Sequence, residues 1–300
     1  MSRAIVIHNP SAGADDHGRE SLIASLREAG WECVAFRSSK EDDLARVLRE
    51  PADIVVVAGG DGTVARVMRA MPDGGPPIAI LPLGTSNGIA RSLEAATHVS
   101  ALPRQWHRFH PHAFRLGEAS GALDGLFAEA AGAGAIAQAI AEADAADASL
   151  AGDARLAAGR ARIAAILARG DAAPLTAYAD GVALPEPLVL VEALIVGVTG
   201  PRLFLAPQAE PAAETLDVVY LTASRAGAFR DWLQRDDGTP APLAHLTSRE
   251  LVIAGEGAFV RLDDEPRRCS GPVSITLRRS ARRVHVLAPA PTPPDHGDPP

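Results

Sequence analysis

The chain has 300 residues, 47% of them hydrophobic and 22% charged, a typical composition for a globular protein long enough for two domains. Its formal net charge of -8 argues against general nucleic-acid binding, and it makes an anionic ligand unfavourable unless a cation accompanies that ligand. Magnesium is the cation that we expect in that role.

The sequence indicates neither a membrane span nor a secretory leader. Uncharged apolar stretches such as 193–198 are much too short to cross a bilayer, and residues 1–8 lack the apolar core of a signal peptide. Cys33 and Cys269 show no metal-binding spacing, so both are expected to be reduced thiols. We therefore expect a cytoplasmic protein.

The first hundred residues alternate between apolar β-branched runs and segments of helical periodicity. Strands are predicted at 3–8, 32–36, 54–57 and 78–81. Helices are predicted around 22–26, 44–48, 63–71 and 89–93, and Ser39 with Asp42 resembles a capping box for the second of them. The alternation predicts a parallel α/β domain over residues 1–112.

The pattern changes after residue 113. Short β-branched runs separated by Gly, Pro and Asp predict antiparallel strands at 188–191, 193–198, 216–221, 251–254, 259–262, 273–277 and 284–287. An Ala-rich insert at 133–168 predicts two helices broken near Gly152, and 225–235 predicts another helix. The fold class is therefore an α/β domain followed by an antiparallel β-sandwich domain with a helical insert (113–288). A Pro- and Asp-rich tail at 289–300 is expected to be disordered.

The stretch from Asp53 to Met71 is read as strand, tight loop and helix, with Gly59, Gly60 and Gly62 in the loop. Glycines there can take positive φ and let an anion approach the main chain, and a helix N-terminus favours phosphate. Asp61 would repel a bare phosphate, so a metal ion or an oriented hydroxyl is its expected partner. We expect the change Gly62→Val to abolish nucleotide binding.

Three other interpretations of this loop are a P-loop, a dinucleotide-binding site and a turn without a ligand. A P-loop is excluded, because Lys40 is the only lysine in the sequence. A dinucleotide site matches the spacing from Gly60 to Ala65, but the ribose-binding acid expected some twenty residues later is missing. A turn without a ligand does not explain a second polar glycine loop, 82–88, after the neighbouring strand.

Two further clusters leave alternatives open. His107, His110 and His112 are favoured as ordinary linker residues over a metal-ligand cluster, because Pro111 breaks their register. The second cluster surrounds a C-terminal strand and consists of Arg278, Arg279, Arg282 and Arg283. It fits either peripheral contact with an anionic membrane or a solvated strand edge.

Four motifs in fixed order resemble a known family. They are Asn9-Pro-x-x-Gly13, Gly59-Gly-Asp-Gly-Thr63, Pro82-Leu-Gly-Thr-x-Asn87 and Asp263-Asp-Glu-Pro266. Together with Leu205-Ala-Pro207 and Leu216-Asp-Val-Val219, they resemble the diacylglycerol kinase catalytic-domain family, which includes bacterial lipid kinases. The resemblance implies an ATP-binding α/β domain, a β-rich domain that receives the lipid, and an active site between them.

The resemblance also implies roles for individual residues. The ATP-binding residues would be Asn9, Ser39, Gly59, Gly60, Asp61, Gly62, Thr63, Gly84, Thr85 and Asn87. Asp61 would lie near the metal, and Glu265 would act as general base on the acceptor hydroxyl. Asp264 replaces the family's glycine, and without the resemblance the segment 263–265 would be interpreted as a solvated acidic turn.

The chain departs from the family pattern at two other places. Relatives usually carry an aspartate where this chain has Arg115, and an Asp-Gly pair where it has Ala213-Glu214. In some bacterial relatives the second aspartate holds a structural magnesium, for which Asp217 is the remaining candidate ligand here. We therefore expect that magnesium to be absent or weak, unless Arg115 takes over charge neutralisation at the phosphates.

The predicted function is an ATP- and Mg²⁺-dependent kinase that transfers the γ-phosphoryl group to a hydroxyl of diacylglycerol or a related lipid. The alternatives are an NAD-kinase-like kinase of a soluble hydroxyl compound and a catalytically degenerate nucleotide-binding protein. The sequence does not indicate the oligomeric state.

Overall fold

The computed structural model describes residues 1–12, 18–40, 43–95, 99–143, 147, 150–235 and 238–290. The predicted disordered tail lies outside these residues from position 291 onward, as does Asp42 of the predicted capping box. The domain boundaries at 112 and 288 stay predictions.

The N-terminal part is a four-stranded parallel sheet with the order β2-β1-β3-β4. Its strands are β1 (Ser2–His8), β2 (Trp31–Ser38), β3 (Ile54–Gly59) and β4 (Ile78–Pro82). The connecting helices are α1 (Arg19–Glu28), α2 (Leu44–Val47), α3 (Asp61–Ala70), α4 (Gly88–Ser92) and α5 (Leu102–Gln105).

The continuous apolar runs of these strands have a packing reason. Ile5, Val55 and Val57 pack on one face of the sheet in a core that includes α2 and α3. Val6 and Val56 point to the opposite face, where they pack with α1. Because successive strand residues face opposite sides and helices cover both sides, every position in β3 is buried and apolar residues need not alternate with polar ones.

The C-terminal part consists mainly of antiparallel strands. They are β5 (His110–Gly121), β6 (Gly125–Phe127), β7 (Ala130–Gly134), β8 (Leu175–Ala179), β9 (Val182–Ala183), β10 (Leu188–Leu194), β11 (Val198–Thr199), β12 (Leu203–Phe204), β13 (Leu216–Thr222), β14 (Ala244–Ser248), β15 (Glu250–Glu256), β16 (Phe259–Leu262), β17 (Glu265–Arg268) and β18 (Pro272–Ala288). Its helices are α6 (Ala135–Ala141), α7 (Gly152–Arg169) and α8 (Ala226–Leu233).

The last strand joins the two parts. β18 pairs antiparallel with β5 and β15, and it lies parallel to β4 where Val286 is opposite Ile78. From there the sheet continues as β15-β8-β10-β7-β16-β17. The predicted fold class is confirmed, with parallel strands in the N-terminal part and antiparallel strands in the C-terminal part.

Two local predictions from the sequence are wrong. The strand predicted at 188–191 and the start of the one predicted at 193–198 form a single strand, β10, which crosses the buried Glu192 because Arg261 of β16 pairs with it; β10 ends at Leu194, and Val198 belongs to β11. The strands predicted at 273–277 and 284–287 likewise belong to one strand, β18. Of the three histidines, His107 lies in a short 3₁₀ turn, Trp106–Arg108, and His110 and His112 lie at the start of β5.

The start of two helices also differs from the prediction. α2 is capped by Asp43, whose Oδ1 accepts a hydrogen bond from the Arg46 amide at 3.1 Å, so Ser39 is not its cap. α3 begins at Asp61 and not near Thr63, so Gly62 has helical backbone geometry. The expectation of a positive φ at these glycines is therefore wrong. Gly60 has φ −92°, and neither Gly59 nor Gly62 is among the residues of positive φ.

Candidate active site

The loops at the carboxyl ends of the parallel strands open into one large cleft. In open α/β sheets this end of the strands is the usual position of a ligand. The cleft has a volume of about 1180 Å³. On this side it is lined by Asn9, Ser11, Ala12, Ser39, Lys40, Gly60, Asp61, Gly62, Thr63, Arg66, Leu83, Gly84, Thr85 and Ser86.

Two of the loops touch through glycines. A Cβ atom at Gly84 would lie 2.4 Å from the Cα atom of Gly60, and a Cβ atom at Gly60 would lie 3.1 Å from the Cα atom of Gly84. Such distances leave no room for a side chain at Gly84. The glycines are thus required because two main chains approach each other closely, and not because of a left-handed backbone.

Asn87 shapes the second loop from within. Its Oδ1 accepts a hydrogen bond from the Gly84 amide at 2.9 Å, and its Nδ2 donates to the carbonyls of Pro82 at 3.2 Å and Gly84 at 2.7 Å. Asn87 has φ +52°, a left-handed geometry that asparagine tolerates better than most residues. Both ends of its side-chain amide are engaged in the loop, and Asn87 is not among the cleft-lining residues, so its role is to hold the loop closed.

Asp61 links the two loops. Its Oδ2 accepts a hydrogen bond from the Gly88 amide and its Oδ1 from the Ile89 amide, both at 2.9 Å. Burial, with a smaller contribution from the nearby Asp264 carboxylate, raises the pKa of Asp61 to about 6 against the opposing effect of these amides. Two carboxylates therefore lie close together at this end of the cleft.

The other residues predicted to bind ATP occupy the same end of the cleft. The Asn9 amide donates to the Ala58 carbonyl at 2.9 Å, and the Ser39 amide donates to the His8 carbonyl at 2.8 Å, so both residues continue from their strands into the loops. Thr63 is buried in the first turn of α3, and the Thr85 carbonyl accepts from Arg202 at 3.3 Å. Gly59 is packed against Thr63 below the cleft. Direct contact of these residues with ATP stays a prediction.

The acidic turn between β16 and β17 supplies the opposite wall. Asp264 lines the cleft, and its Oδ2 would lie 3.6 Å from a Cβ atom at Gly62. Asp263 is buried instead, and its Oδ1 accepts from the Ala128 and Glu129 amides at 3.0 and 2.7 Å. The Glu265 side chain is 77% exposed and pairs with Arg69 at 3.2 Å. Of these three acids, Asp264 is the one that lines the cleft.

The sequence analysis missed Glu129 and Arg261. Glu129 lines the cleft although it is almost fully buried, and its Oε1 accepts from the Thr199 hydroxyl and, at 2.9 Å, from the Gly200 amide. Burial raises the pKa of Glu129 well above its usual range, and the carboxylates of Asp61 and Asp264 add to the shift. Glu129 stands in an apolar segment, and no spacing signal marks it.

Arg261 lies behind this wall as a buried cation. Its side chain has no exposure to solvent and pairs with Glu192 at 3.0 Å, and its Nη1 donates to the Asp263 carbonyl at 2.8 Å. A buried charge needs a partner of this kind, because desolvation of an isolated ion is very costly. Arg261 thereby fixes the backbone of the turn that carries Asp264.

The helical insert forms the far wall of the cleft. Its predicted position is confirmed, with α7 beginning at Gly152. Among the cleft-lining residues of this wall, the apolar ones are Ile136, Ala139, Ile140, Ala143, Leu150, Ala151, Leu156 and Ile163. Arg155 and Arg162 also line this wall, and Arg162 forms an ion pair there with Asp147.

The residues around Asp217 do not fit a magnesium site. The Asp217 carboxylate pairs with His245 at 2.8 Å, and Arg115 pairs with Glu214 at 3.3 Å. Burial lowers the pKa of the neighbouring Arg279 to about 10, an effect that the Asp217 charge opposes. The acids of this region already have basic partners, and neither Arg115 nor Asp217 lines the cleft.

Three of the four C-terminal arginines have partners within the protein, and one of them, Arg278, pairs with Glu250. Arg279 donates to the carbonyls of Thr215, Arg115 and Glu210 at 2.9–3.0 Å. Arg282 donates to the Met71 carbonyl. None of the helices in the described part of the chain has the length and apolarity needed to cross a membrane.

Comparisons with known proteins agree with the geometry. The sequence profile of the family described as "Diacylglycerol kinase catalytic domain" matches residues 3–119. A diacylglycerol kinase of Staphylococcus aureus (strain MRSA252) is 32% identical over 99 residues, which cover 30% of this chain and 31% of that protein. The match to this curated relative thus spans about a third of its length.

Solved structures extend the likeness to the fold. The crystal structure of a diacylglycerol kinase from Bacillus anthracis str. Sterne matches with a TM-score of 0.67 at 19% identity, covering 96% of this chain and 97% of that one. An NAD kinase from Archaeoglobus fulgidus in complex with ATP matches with a TM-score of 0.53 at 16% identity, covering 95% and 93%. Identities this low show the fold alone. The resemblance predicted from the motifs is therefore confirmed: the chain is similar to the diacylglycerol kinase catalytic-domain family in sequence over residues 3–119 and in fold over nearly its whole length.

Proposed function

We propose that the protein is an ATP-dependent kinase that transfers the γ-phosphoryl group to a hydroxyl group of diacylglycerol or a related lipid. The observation that carries this proposal is the single cleft of about 1180 Å³. It runs from the two glycine loops past Asp264 to the apolar wall of α6 and α7. A phosphate donor and an apolar acceptor therefore fit into the same space, with an acid between them.

The nucleotide end fits a polyphosphate. The N-terminus of α3 opens on the cleft with Gly60 and Gly62 beside it, and helix N-termini favour phosphate groups. Lys40 and Arg66 line the same end and add positive charge. The NAD kinase of similar fold, solved with ATP, supports the choice of nucleotide.

The carboxylate of Asp61 fits a Mg²⁺ ion. Mg²⁺ binds one or two protein carboxylates and keeps its other coordination positions for water and substrate phosphates. Burial is the main cause of the raised pKa of Asp61, and the smaller contribution of Asp264 indicates that a second carboxylate lies close to Asp61. Asp61 would hold the ion together with the phosphates of ATP. The ion would neutralise the charge that develops during phosphoryl transfer.

Asp264 is the residue that we assign as general base. It would take the proton of the acceptor hydroxyl while the hydroxyl oxygen bonds to the γ-phosphorus and ADP leaves. The role predicted for Glu265 is less compatible with its exposed side chain and its pairing with Arg69 outside the cleft. Asp264 stands where relatives carry glycine. In this protein the general base would therefore come from the position next to Glu265.

The acceptor end favours a lipid over a nucleotide-like acceptor. Apolar side chains at helical spacing, such as Ile136 and Ile140, line it on α6, and Leu156 and Ile163 line it on α7. A soluble polyhydroxyl acceptor would leave its polar groups unpaired against this surface.

Transfer of labelled phosphate from ATP to candidate acceptors tests the proposal. The full chain is incubated with Mg²⁺ and labelled ATP in the presence of diacylglycerol vesicles, an extracted lipid fraction, NAD or buffer alone. Label in the lipid phase is the expected result. Label in NAD would support the soluble-acceptor alternative, and ATP binding without transfer to any acceptor would indicate a catalytically degenerate protein.

A further inference from the structure

One face of α3 points toward the acidic turn. Gly62, Arg66 and Arg69 are spaced four and three residues apart and therefore lie on the same side of the helix. Gly62 leaves room beside Asp264, and Arg66 lines the cleft. Arg69, in the last turn of α3, contacts the acidic segment 263–265.

Arg69 contacts the residues on both sides of Asp264. Its Nη1 is 2.8 Å from Asp263 Oδ2, and its Nη2 is 3.2 Å from Glu265 Oε1. A guanidinium group is planar and directs several N–H donors in fixed directions, so one arginine can hold two carboxylates at once. With both neighbours held by the last turn of α3, the Asp264 side chain between them lies in the cleft beside Gly62 in the first turn of the same helix.

The other side of the Asp263 carboxylate is held by the main chain. The amides of Ala128 and Glu129 donate to it, while the backbone of Asp263 has φ +50° in the left-handed region. A non-glycine residue keeps such a geometry only where its surroundings enforce it. Arg69 and the two amides together enforce it here, since Arg69 is the cationic side chain that pairs with this buried carboxylate in the described part of the chain.

We propose that Arg69 is a positioning residue for phosphoryl transfer, which holds the 263–265 turn against α3 so that Asp264 faces the phosphate loop. This inference rests on the proposed function. It connects two sites through a single helix: the first turn of α3 borders the nucleotide, and its last turn sets the position of the base. The two contacts span 194 and 196 residues of sequence.

The experiment compares Arg69→Met, Arg69→Lys and Glu265→Gln in the full chain, with Arg46→Met as the matched control. Arg46 also bridges two carboxylates, Asp43 at 3.2 Å and Glu50 at 3.9 Å, but it does not line the cleft. We measure kcat and KM by phosphate transfer to the lipid acceptor, and the Kd of ATP by calorimetry. Amide hydrogen exchange at 128–130 and 263–265 reports on the turn without any turnover.

Arg69→Met is expected to lower kcat by about 10- to 100-fold, because displacement of a catalytic group by about 1 Å has effects of this size. The Kd of ATP should stay within about threefold, since no nucleotide-side residue is touched. Arg69→Lys should restore part of kcat through its contact with Asp263. Glu265→Gln, which weakens one of the two contacts of Arg69, should lower kcat by less than Arg69→Met does, and Arg46→Met should stay within about threefold of wild type. Exchange at 128–130 should become faster in Arg69→Met alone.

Three results would overturn the inference. An unchanged kcat in Arg69→Met, with an active wild type, refutes the positioning role and leaves the proposed function intact. A parallel loss of kcat, ATP affinity and thermal stability refutes it too, because it indicates general structural damage. Absence of transfer by the wild-type protein to any acceptor overturns the proposed function, and the positioning role with it.

Discussion

The two walls of the cleft are built in different ways. On the nucleotide side, the loops 59–63 and 82–87 follow directly from neighbouring parallel strands, and Asn87, Asp61 and the Gly60–Gly84 contact hold them together. On the opposite side, the position of Asp264 depends on Arg69 and Arg261, which come from a distant helix and from the adjacent strand. The side-chain contacts of Asp61 in the first wall span 27 and 28 residues of sequence, whereas the Arg69 contacts of the second span 194 and 196.

This difference separates two kinds of functional loss. Substitutions in the glycine loops should weaken ATP binding, because the proposed function assigns the phosphates of ATP to these loops. Substitutions in the acidic turn should lower turnover while ATP still binds. The predictions below use this separation, beginning with the largest expected effect.

Asp264→Asn should lower kcat by two to four orders of magnitude, roughly the contribution of a positioned general base. The amide keeps the shape of the side chain but cannot accept the proton. Steady-state transfer to the lipid acceptor measures the loss, and calorimetry should show ATP affinity within about threefold of wild type. Glu265→Gln is the neighbouring control, and a loss of two orders of magnitude there would return the base to Glu265.

Gly84→Ala should weaken ATP binding by about 100-fold or more, equivalent to about 2.7 kcal/mol or more. The new Cβ atom would lie 2.4 Å from Gly60 Cα and 2.9 Å from Asn87 Oδ1, so the loops must separate. Gly271→Ala is the control, because a Cβ atom at that position has nothing within 4 Å. Gly62→Ala should have the smaller effect, since its Cβ atom would make an ordinary contact at 3.6 Å. Equal losses at Gly62 and Gly84 would contradict the close-approach argument.

Asn87→Ala should raise the Kd of ATP by about tenfold. It removes three hydrogen bonds within the second loop, each worth about 0.5–1.5 kcal/mol to the ordered state. Part of that loss should appear as a lower thermal unfolding midpoint. If affinity stayed unchanged while stability fell, the loop would not form the nucleotide end of the cleft.

The smallest effect concerns pH and magnesium. Burial raises the pKa of Asp61 from 3.8 to about 6, so native Asp61 keeps its proton over a range in which the unfolded chain has lost it. Its contribution to the free energy of unfolding therefore decreases as the pH rises from about 4 to about 6. Above about pH 6, a cation bound to ionised Asp61 offsets this loss of free energy of unfolding.

Mg²⁺ should accordingly raise the unfolding midpoint by about 3 °C at pH 8 and by less than about 1 °C at pH 5. Thermal scans with and without Mg²⁺ measure the difference, with Ca²⁺-free buffer throughout. Asp61→Asn should lose the pH dependence of the Mg²⁺ effect. An equal effect of Mg²⁺ in this variant would place the ion elsewhere.

The sequence determined the parts of the protein that depend on neighbours in the chain. Apolar runs and glycine punctuation predicted all four parallel strands and the loops that follow them, because periodicity and turn chemistry act over a few residues. The two helices of the insert were predicted for the same reason. The family motifs added the order of the two glycine loops and the acidic segment.

Only the tertiary structure decided which acid faces the cleft and which glycines are indispensable. Asp263, Asp264 and Glu265 are equivalent in the sequence, and Arg69, almost two hundred residues away, separates them into one buried, one cleft-facing and one exposed side chain. The charge of Glu192 led to the prediction of two strands on either side of it, because its partner Arg261 could not be inferred from spacing. Gly84 is required by Gly60 on another loop. In each case the deciding contact joins residues far apart in the chain, and short-range patterns carry no record of such contacts.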